Sequence, residues 1–174
     1  MKESAVQFGK SVKLTGVMTH PETFRDDLPA VIFFNSGVRH HVGCCRMSVR
    51  IARELAGKGF LCLRFDLSGI GDSLLRPDGL QYEKSSIEDA KEALEYLART
   101  QGVKQFVFYG LCSGAHLGFK LAQQDPRVVG LIQVDGYLYK TRGFMIRHYL
   151  PRLFNLGVWM RFVMTRLKGK GGRT

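Results

Sequence analysis

Short apolar runs alternate with amphipathic stretches along this chain. Residues 11–18 alternate between apolar and polar positions, which predicts an exposed early strand. Three later runs are apolar almost throughout, as expected of strands buried on both faces: they are 30–34, 60–65 and 105–109. A fourth run, 128–134, predicts one further strand.

Between these runs lie segments with helical spacing. Residues 46–58 place apolar side chains every three to four positions, which predicts an amphipathic helix. Ser85-Ser86-Ile87-Glu88 has the form of a capping box and predicts a helix from there to about residue 100. A third helix is predicted over 116–124. The alternation predicts an α/β fold, a mostly parallel sheet with helices on both faces, whose loops meet at the carboxyl ends of the strands.

The segment Tyr109-Gly110-Leu111-Cys112-Ser113-Gly114-Ala115 joins a predicted strand to a predicted helix. A nucleophile flanked by glycines in this context is typical of the nucleophile elbow of acyl-transfer enzymes. The following helix would direct its N-terminal N–H groups at Cys112, which favours a thiolate and a developing oxyanion. Two alternatives stay open: Cys112 is a buried structural cysteine, or Ser113 is the nucleophile.

With Asn35-Ser36-Gly37 after the third strand and Asp66-Leu67-Ser68-Gly69-Ile70-Gly71-Asp72-Ser73 after the fourth, the chain resembles the α/β-hydrolase superfamily over about residues 4–160. In detail these motifs are most similar to the exosortase A system-associated hydrolases. The resemblance implies a hydrolase of esters or thioesters with Cys112 as nucleophile. It places the oxyanion hole at the N–H groups of Ser113 and of Gly37 or Val38. It further implies a core over 1–139, strands one to six, and a basic helical lid over 140–174.

The chain departs from the superfamily pattern after the sixth strand. The acid and histidine of the catalytic triad normally follow there, with two more strands. Asp135 lies where some members place the acid, and His148 falls in the predicted lid and is not predicted to be the base. We therefore expect a sheet that lacks its last strands, in a fragment of a longer protein. The alternative function is a catalytically weak or inactive module that needs a partner or a membrane surface.

The charge of +11 on 174 residues is concentrated at one end. Residues 140–174 hold nine Lys and Arg and no acid, whereas 17 basic residues face 15 acidic ones before them. This distribution does not predict nucleic-acid binding, because no nucleic-acid-binding motif accompanies it. It makes 140–174 a candidate for contact with an anionic membrane surface. A sheet without its outer strands would also expose an edge, so a homo-oligomer is a further candidate.

The histidines and cysteines of His40-His41-Val42-Gly43-Cys44-Cys45 suggest a metal site, but adjacent pairs rarely direct both side chains at one ion. We predict no metal and no cofactor, and expect His40 or His41 to line the entrance of the site. Residues 66–73 are predicted to form a structural turn held by Asp66 and Ser73, rather than a phosphate-binding loop. Four cysteines without disulfide spacing, and no apolar stretch long enough to cross a bilayer, favour the cytoplasm.

Overall fold

The computed structural model describes residues 1–136 and 142–153. Its described contacts divide the chain into two units, Met1–Tyr137 and Leu138–Thr174, and each is described by itself. In the first unit six strands form one sheet: β1 Lys2–Phe8, β2 Leu14–His20, β3 Ala30–Phe33, β4 Cys62–Phe65, β5 Phe106–Leu111 and β6 Val128–Val134.

The strands lie in the order β1-β2-β4-β3-β5-β6. The first two are antiparallel to their neighbours, and β4, β3, β5 and β6 are parallel. The chain winds from β3 to β4 on one side and then returns to β5 on the other. Ligands in open α/β sheets bind at such a reversal, beside the carboxyl ends of the strands. The predicted fold class, a mostly parallel α/β-hydrolase sheet with helices, is confirmed.

The antiparallel start of the sheet differs from the predicted strand over 11–18. The alternation belongs to a hairpin, whose second strand begins at Leu14, and residues 9–13 form its turn. Gly9 has φ of 105°, and a Cβ there would lie 2.1 Å from the carbonyl oxygen of Val12. A turn this tight excludes a strand that starts at residue 11.

Three helices pack on the sheet, and their bounds are α1 Met47–Gly57, α2 Tyr82–Gln101 and α3 Ser113–Ala122. The predicted helix over 46–58 is confirmed to within one residue at each end. The predicted capping box is wrong, because α2 begins at Tyr82 with Gln81 as its N-cap. The Ser85 hydroxyl instead donates to the carbonyl oxygen of Tyr82, at 3.1 Å, from inside the first turn.

The two faces of the sheet are covered by different helices. Alternate residues of the central strands, such as Ile32, Leu63 and Phe108, join α2 and α3 in the larger apolar cluster. Their neighbours Val31 and Phe33 join Ala52 of α1 in the smaller one. This two-sided burial explains why the central strands are apolar throughout. It fixes the carboxyl ends of β3 and β5 side by side.

The strand β6 forms one edge of the described sheet. Val129, Ile132 and Val134 are 51%, 42% and 40% exposed. An edge strand with exposed apolar side chains favours pairing with another chain. The predicted homo-oligomer is compatible with this edge and stays a prediction.

In the second unit the structure describes one helix, α4, which spans Arg142–Leu153. The rest of the predicted lid, residues 140, 141 and 154–174, lies outside the described residues. The predicted boundary after residue 139 and the role of a lid stay predictions. No helix in the described part of the chain has the length and apolar character that crossing a bilayer requires.

Candidate active site

Cys112 occupies the turn between β5 and α3. Its backbone has φ of 56° and ψ of −114°, a combination that residues with a side chain rarely adopt. Two hydrogen bonds hold the turn: the N–H of Cys112 donates to the carbonyl oxygen of Val134 at 2.9 Å, and its own carbonyl accepts from Ala115 at 3.1 Å. A strained central residue on a sharp strand-to-helix turn is the defining geometry of a nucleophile elbow.

The residues that flank the elbow must be glycines, because other backbone atoms lie too close to leave room for a Cβ. A Cβ on Gly110 would lie 2.3 Å from the carbonyl carbon of Gly114, across the turn. A Cβ on Gly114 would lie 2.6 Å from the carbonyl oxygen of Asn35, in the loop after β3. The second glycine therefore lets the elbow pack directly against the loop that carries the predicted oxyanion donors.

Gly37 lies beside the elbow, as the oxyanion prediction requires. Its backbone has φ of 58°, and its N–H donates to the hydroxyl oxygen of Ser113 at 2.7 Å. The neighbouring Val38 is 89% exposed. The predicted donors Gly37 and Ser113 are thus brought together, with the Ser113 hydroxyl as the acceptor of the Gly37 N–H.

Tyr82, the first residue of α2, is a site residue that the sequence analysis missed. Partial burial raises the pKa of Tyr82, and the nearby Ser113 hydroxyl acts in the opposite direction. Ser113 therefore stands between a backbone N–H and a phenol. Its hydroxyl accepts the N–H of Gly37 and so joins the loop after β3 to the start of α3.

Asp66 is fully buried and accepts four hydrogen bonds. Its Oδ1 accepts from Asn35 Nδ2 at 2.9 Å and from the N–H of His41 at 2.6 Å. Its Oδ2 lies 2.8 Å from His41 Nδ1 and 3.1 Å from the N–H of Asp72. Burial acts to raise the pKa of Asp66, but the hydrogen bonds outweigh burial and hold the pKa below its usual value. Asp66 is an anchor that ties the loop after β3 to the loop after β4.

The predicted structural turn over 66–73 is confirmed. The Ser73 hydroxyl donates to the carbonyl oxygen of Asp66 at 2.6 Å and accepts from the N–H of Thr15 at 2.8 Å. A Cβ on Gly71 would lie 2.2 Å from Asp66 Oδ2, so this glycine allows the turn to close over the carboxylate.

Asp135 leaves the strand next to the elbow. Because Leu111 pairs with Val134, Cys112 and Asp135 follow neighbouring strands at the same edge of the sheet. Asp135 is exposed and has φ of 50°. Its role as the catalytic acid stays a prediction.

The histidine-cysteine segment does not gather around one point. His41 turns toward Asp66, and the sulfurs of Cys44 and Cys45 lie 3.9 Å apart. Among the described residues, the one group of three ligand types within 4.8 Å is His41, Asp66 and Asp72. Both Asp66 oxygens in that group already accept hydrogen bonds. His40 and His41 line a cavity of about 10 Å³, room for about one water.

A family model described as serine aminopeptidase, S33 matches residues 26–167, most of the chain. The chain belongs to this family of α/β hydrolases. The residue at the centre of its elbow is a cysteine, where the family's description names a serine. No curated protein matches the sequence.

Solved structures share the fold of this S33-family chain. It resembles an α/β hydrolase from Penicillium at 22% identity and TM-score 0.68, covering 97% of this chain and 56% of that one. A hypothetical protein from Pseudomonas aeruginosa matches at 21% identity and TM-score 0.67, over 78% and 43% of the two chains. A serine hydrolase homologue from Coxiella burnetii matches at 21% identity and TM-score 0.62, over 82% and 66%. The chain thus spans about half the length of the first solved structures that it matches.

Proposed function

We propose that this S33-family chain hydrolyses an ester or thioester through an acyl-Cys112 intermediate. The observation that carries the proposal is the backbone of Cys112, whose φ of 56° presents its side chain at the top of a strand-to-helix turn. Strained backbone of this kind persists where the surrounding structure fixes it, and it clusters at catalytic centres. The adjacent N–H of Gly37 supports the same interpretation.

The chemistry proceeds in two displacements. The Cys112 sulfur attacks the carbonyl carbon, a C–S bond forms, and the π electron pair moves to the carbonyl oxygen. The resulting oxyanion accepts hydrogen bonds from the N–H groups of Ser113 and Gly37, each of which contributes about 3 kcal/mol to lowering the barrier. The electron pair of the oxyanion re-forms the C=O bond, and the leaving group departs with its bonding electrons and takes up, through a water molecule, the proton that the Cys112 thiol gave up. A second water then attacks the acyl carbonyl carbon and the C–S bond breaks. The hydroxyl of that water stays in the carboxylic acid, and its other proton returns to the Cys112 sulfur.

The pKa of the leaving group favours thioesters and activated esters as substrates. A thiol has a pKa of about 8.5, whereas that of water, which resembles an alkyl alcohol, is about 15.7. A thiolate therefore departs more easily than an alkoxide when no general acid protonates it. We expect acyl thioesters and aryl esters to react faster than alkyl esters, and amides to react slowest.

The test is turnover of a panel of thioesters, aryl esters and amides by the parent and by Cys112→Ala. We expect Cys112→Ala to lower kcat/KM by roughly 10³-fold or more. Cys45→Ala is the matched control, since Cys45 is exposed in a different turn, and it should behave as the parent. Equal, nonzero turnover by the parent and Cys112→Ala would show that Cys112 is not the nucleophile.

Two finer assignments belong to the same proposal. Asp135 is the candidate acid, because its strand end adjoins the elbow. The similarity of the three motifs to the exosortase A system-associated hydrolases suggests a narrower relationship within the superfamily.

A partner-dependent module is the alternative, since the chain spans only about half of its structural relatives. Full turnover by the purified monomer would exclude that alternative.

A membrane-surface role is the second candidate, and α4 motivates it. This helix carries Arg142 and Arg147, while Phe144, Ile146 and Leu150 are 46%, 61% and 48% exposed. Exposed apolar side chains beside arginines suit the interface of an anionic bilayer. The test is flotation with anionic liposomes at low salt, compared with neutral liposomes and with Ile146→Glu. If the protein stays unbound to the same extent with anionic liposomes, with neutral liposomes and as Ile146→Glu, the membrane-surface role is excluded.

A further inference from the structure

A groove opens between Val38, the residue after Gly37, and the segment from Ser68 to Ser85, which includes the first turn of α2. We call it the loop groove. Its volume of about 390 Å³ lies at the lower end of the range for small-ligand pockets, roughly 300–1,000 Å³. The cavity beside His41, by contrast, has room for about one water. Of these two spaces, the loop groove is the one large enough for a substrate.

The walls of the loop groove are apolar and exposed. Val38, Leu75, Leu80 and Tyr82 line it and are 89%, 80%, 41% and 49% exposed. Ile70, at 8% exposure, forms its buried part. Scattered exposed apolar residues are ordinary, but a contiguous group around a concave surface indicates a binding site.

Among the described residues, none that lines the loop groove carries an uncompensated charge. Arg76 is the one charged residue among those of the described chain that line it. Its guanidinium is paired with Asp78 and with the buried Asp89, both at 2.8 Å, and its side chain is 7% exposed. A charged substrate would therefore find no partner there, whereas an apolar chain would displace water from apolar walls.

The loop groove is continuous with the predicted oxyanion donors. Tyr82 lines it and lies near the Ser113 hydroxyl, which accepts the N–H of Gly37. Val38 directly follows Gly37 along the chain. An acyl group whose carbonyl oxygen lies at Gly37 and Ser113 would thus have its chain beside Val38 and Tyr82.

We propose that the loop groove binds the acyl chain of the substrate, and that this chain is apolar and of medium length. The proposal rests on the proposed acyl chemistry at Cys112 and specifies its substrate class. Leu75 and Leu80 are then specificity-determining residues. They contact the chain and set the preference among acyl lengths.

The kinetic test measures kcat/KM for aryl esters with acetyl, butyryl, octanoyl and hexadecanoyl groups. We expect the parent to prefer octanoyl over acetyl, because each buried methylene contributes about 0.8 kcal/mol. In Leu75→Ser and in Leu80→Ser the octanoyl-to-acetyl ratio should fall about tenfold, as expected for lost apolar contact in a pocket. Leu74→Ser is the matched control, since Leu74 is 59% exposed but does not line the groove. An octanoyl-to-acetyl ratio equal to that of the parent in both Leu75→Ser and Leu80→Ser would overturn the proposal.

A binding test separates this proposal from the proposed chemistry. N-methyloctanamide, a neutral analogue with a carbonyl and an acyl chain, is titrated into the full-length Cys112→Ala protein by calorimetry. We expect it to bind at least tenfold more weakly when Leu75→Ser is added, and N-methylacetamide to bind in neither case. If the affinity for N-methyloctanamide depends on Leu75 but the parent hydrolyses no substrate, the proposed chemistry is contradicted and the groove proposal is not. If hydrolysis depends on Cys112 but the affinity for N-methyloctanamide is unchanged by Leu75→Ser, the groove proposal is contradicted and the chemistry is not.

Discussion

The backbone N–H of Gly37 donates a 2.7 Å hydrogen bond to the hydroxyl of Ser113. These residues are 76 positions apart, and the contact joins the loop after β3 to the first turn of α3. In the proposed mechanism the Ser113 oxygen lies where the substrate oxyanion would accept from Gly37. The oxyanion would then replace this hydroxyl when the tetrahedral intermediate forms.

Ser113→Ala should raise kcat/KM for an acyl thioester by up to about fivefold, since a hydrogen bond of this kind is worth about 1 kcal/mol. The substitution frees the Gly37 N–H and leaves the N–H of residue 113 in place. The same assay decides between the two candidate nucleophiles. A loss of roughly 10³-fold or more in Ser113→Ala would identify Ser113, not Cys112, as the nucleophile.

Gly114→Ala should lower the free energy of unfolding by roughly 2–3 kcal/mol, as overpacking commonly does. Its Cβ would lie 2.6 Å from the carbonyl oxygen of Asn35, a backbone atom that cannot move aside. Gly57→Ala is the control, because a Cβ there meets open space at the end of α1. Denaturant unfolding measures the free energy of unfolding of both variants. Equal midpoints for the two variants would show that the elbow and the loop after β3 are not in close contact.

The buried carboxylate of Asp66 makes stability depend on pH in the acid range. Its pKa is lower in the folded state than in the unfolded chain, where it is about 3.9. The stabilisation is therefore fully present above about pH 4 and is lost as the pH falls through the folded-state pKa.

Asp66→Asn replaces one acceptor oxygen with an NH₂ that faces the N–H of Asp72, and should destabilise the protein by about 2–3 kcal/mol near neutral pH. The difference in free energy of unfolding between parent and Asp66→Asn should shrink below about pH 4, as the parent carboxylate becomes protonated. Urea unfolding over a pH series measures it. A difference that stays constant into strong acid would show that Asp66 is not the titrating anchor.

Cys62 should be inert toward alkylation in the folded protein. Burial raises its pKa to about 12, so at pH 8 roughly one molecule in 10⁴ carries the thiolate that reacts. Peptide mapping after iodoacetamide treatment should find Cys45, which is exposed, modified and Cys62 unmodified. Both should react after unfolding in guanidinium. Modification of Cys62 at the rate of Cys45 in the native protein would contradict its burial.

The sequence predicts the elbow well because its signal is local. An apolar strand, two glycines four positions apart and a helical segment all fall between residues 105 and 124, and each constrains the same turn. The strand ends that meet at the site follow from the α/β alternation. This is why Cys112, Gly37 and the turn at Asp66 could be placed without a structure.

Tyr82 and the His41–Asp66 contact could not be predicted in this way. His41 and Asp66 lie 25 residues apart in two loops, and no periodic pattern specifies which loop side chains meet. Tyr82 reaches Ser113 because α2 begins earlier than the Ser85–Glu88 pattern suggests. The N-cap Gln81 makes no side-chain cap hydrogen bond, and the Arg76–Asp89 ion pair ties the preceding loop to that helix.

Trapping of the acyl-enzyme tests the role of Cys112 most directly. The full-length protein is mixed with an octanoyl thioester, quenched in acid, and examined by intact-mass and peptide mass spectrometry. We predict one added octanoyl group on the peptide that contains Cys112, released by hydroxylamine, in the parent and in Cys45→Ala but not in Cys112→Ala. Turnover of the thioester with the acyl group on Ser113, or equal turnover by Cys112→Ala, would contradict a cysteine nucleophile at this elbow.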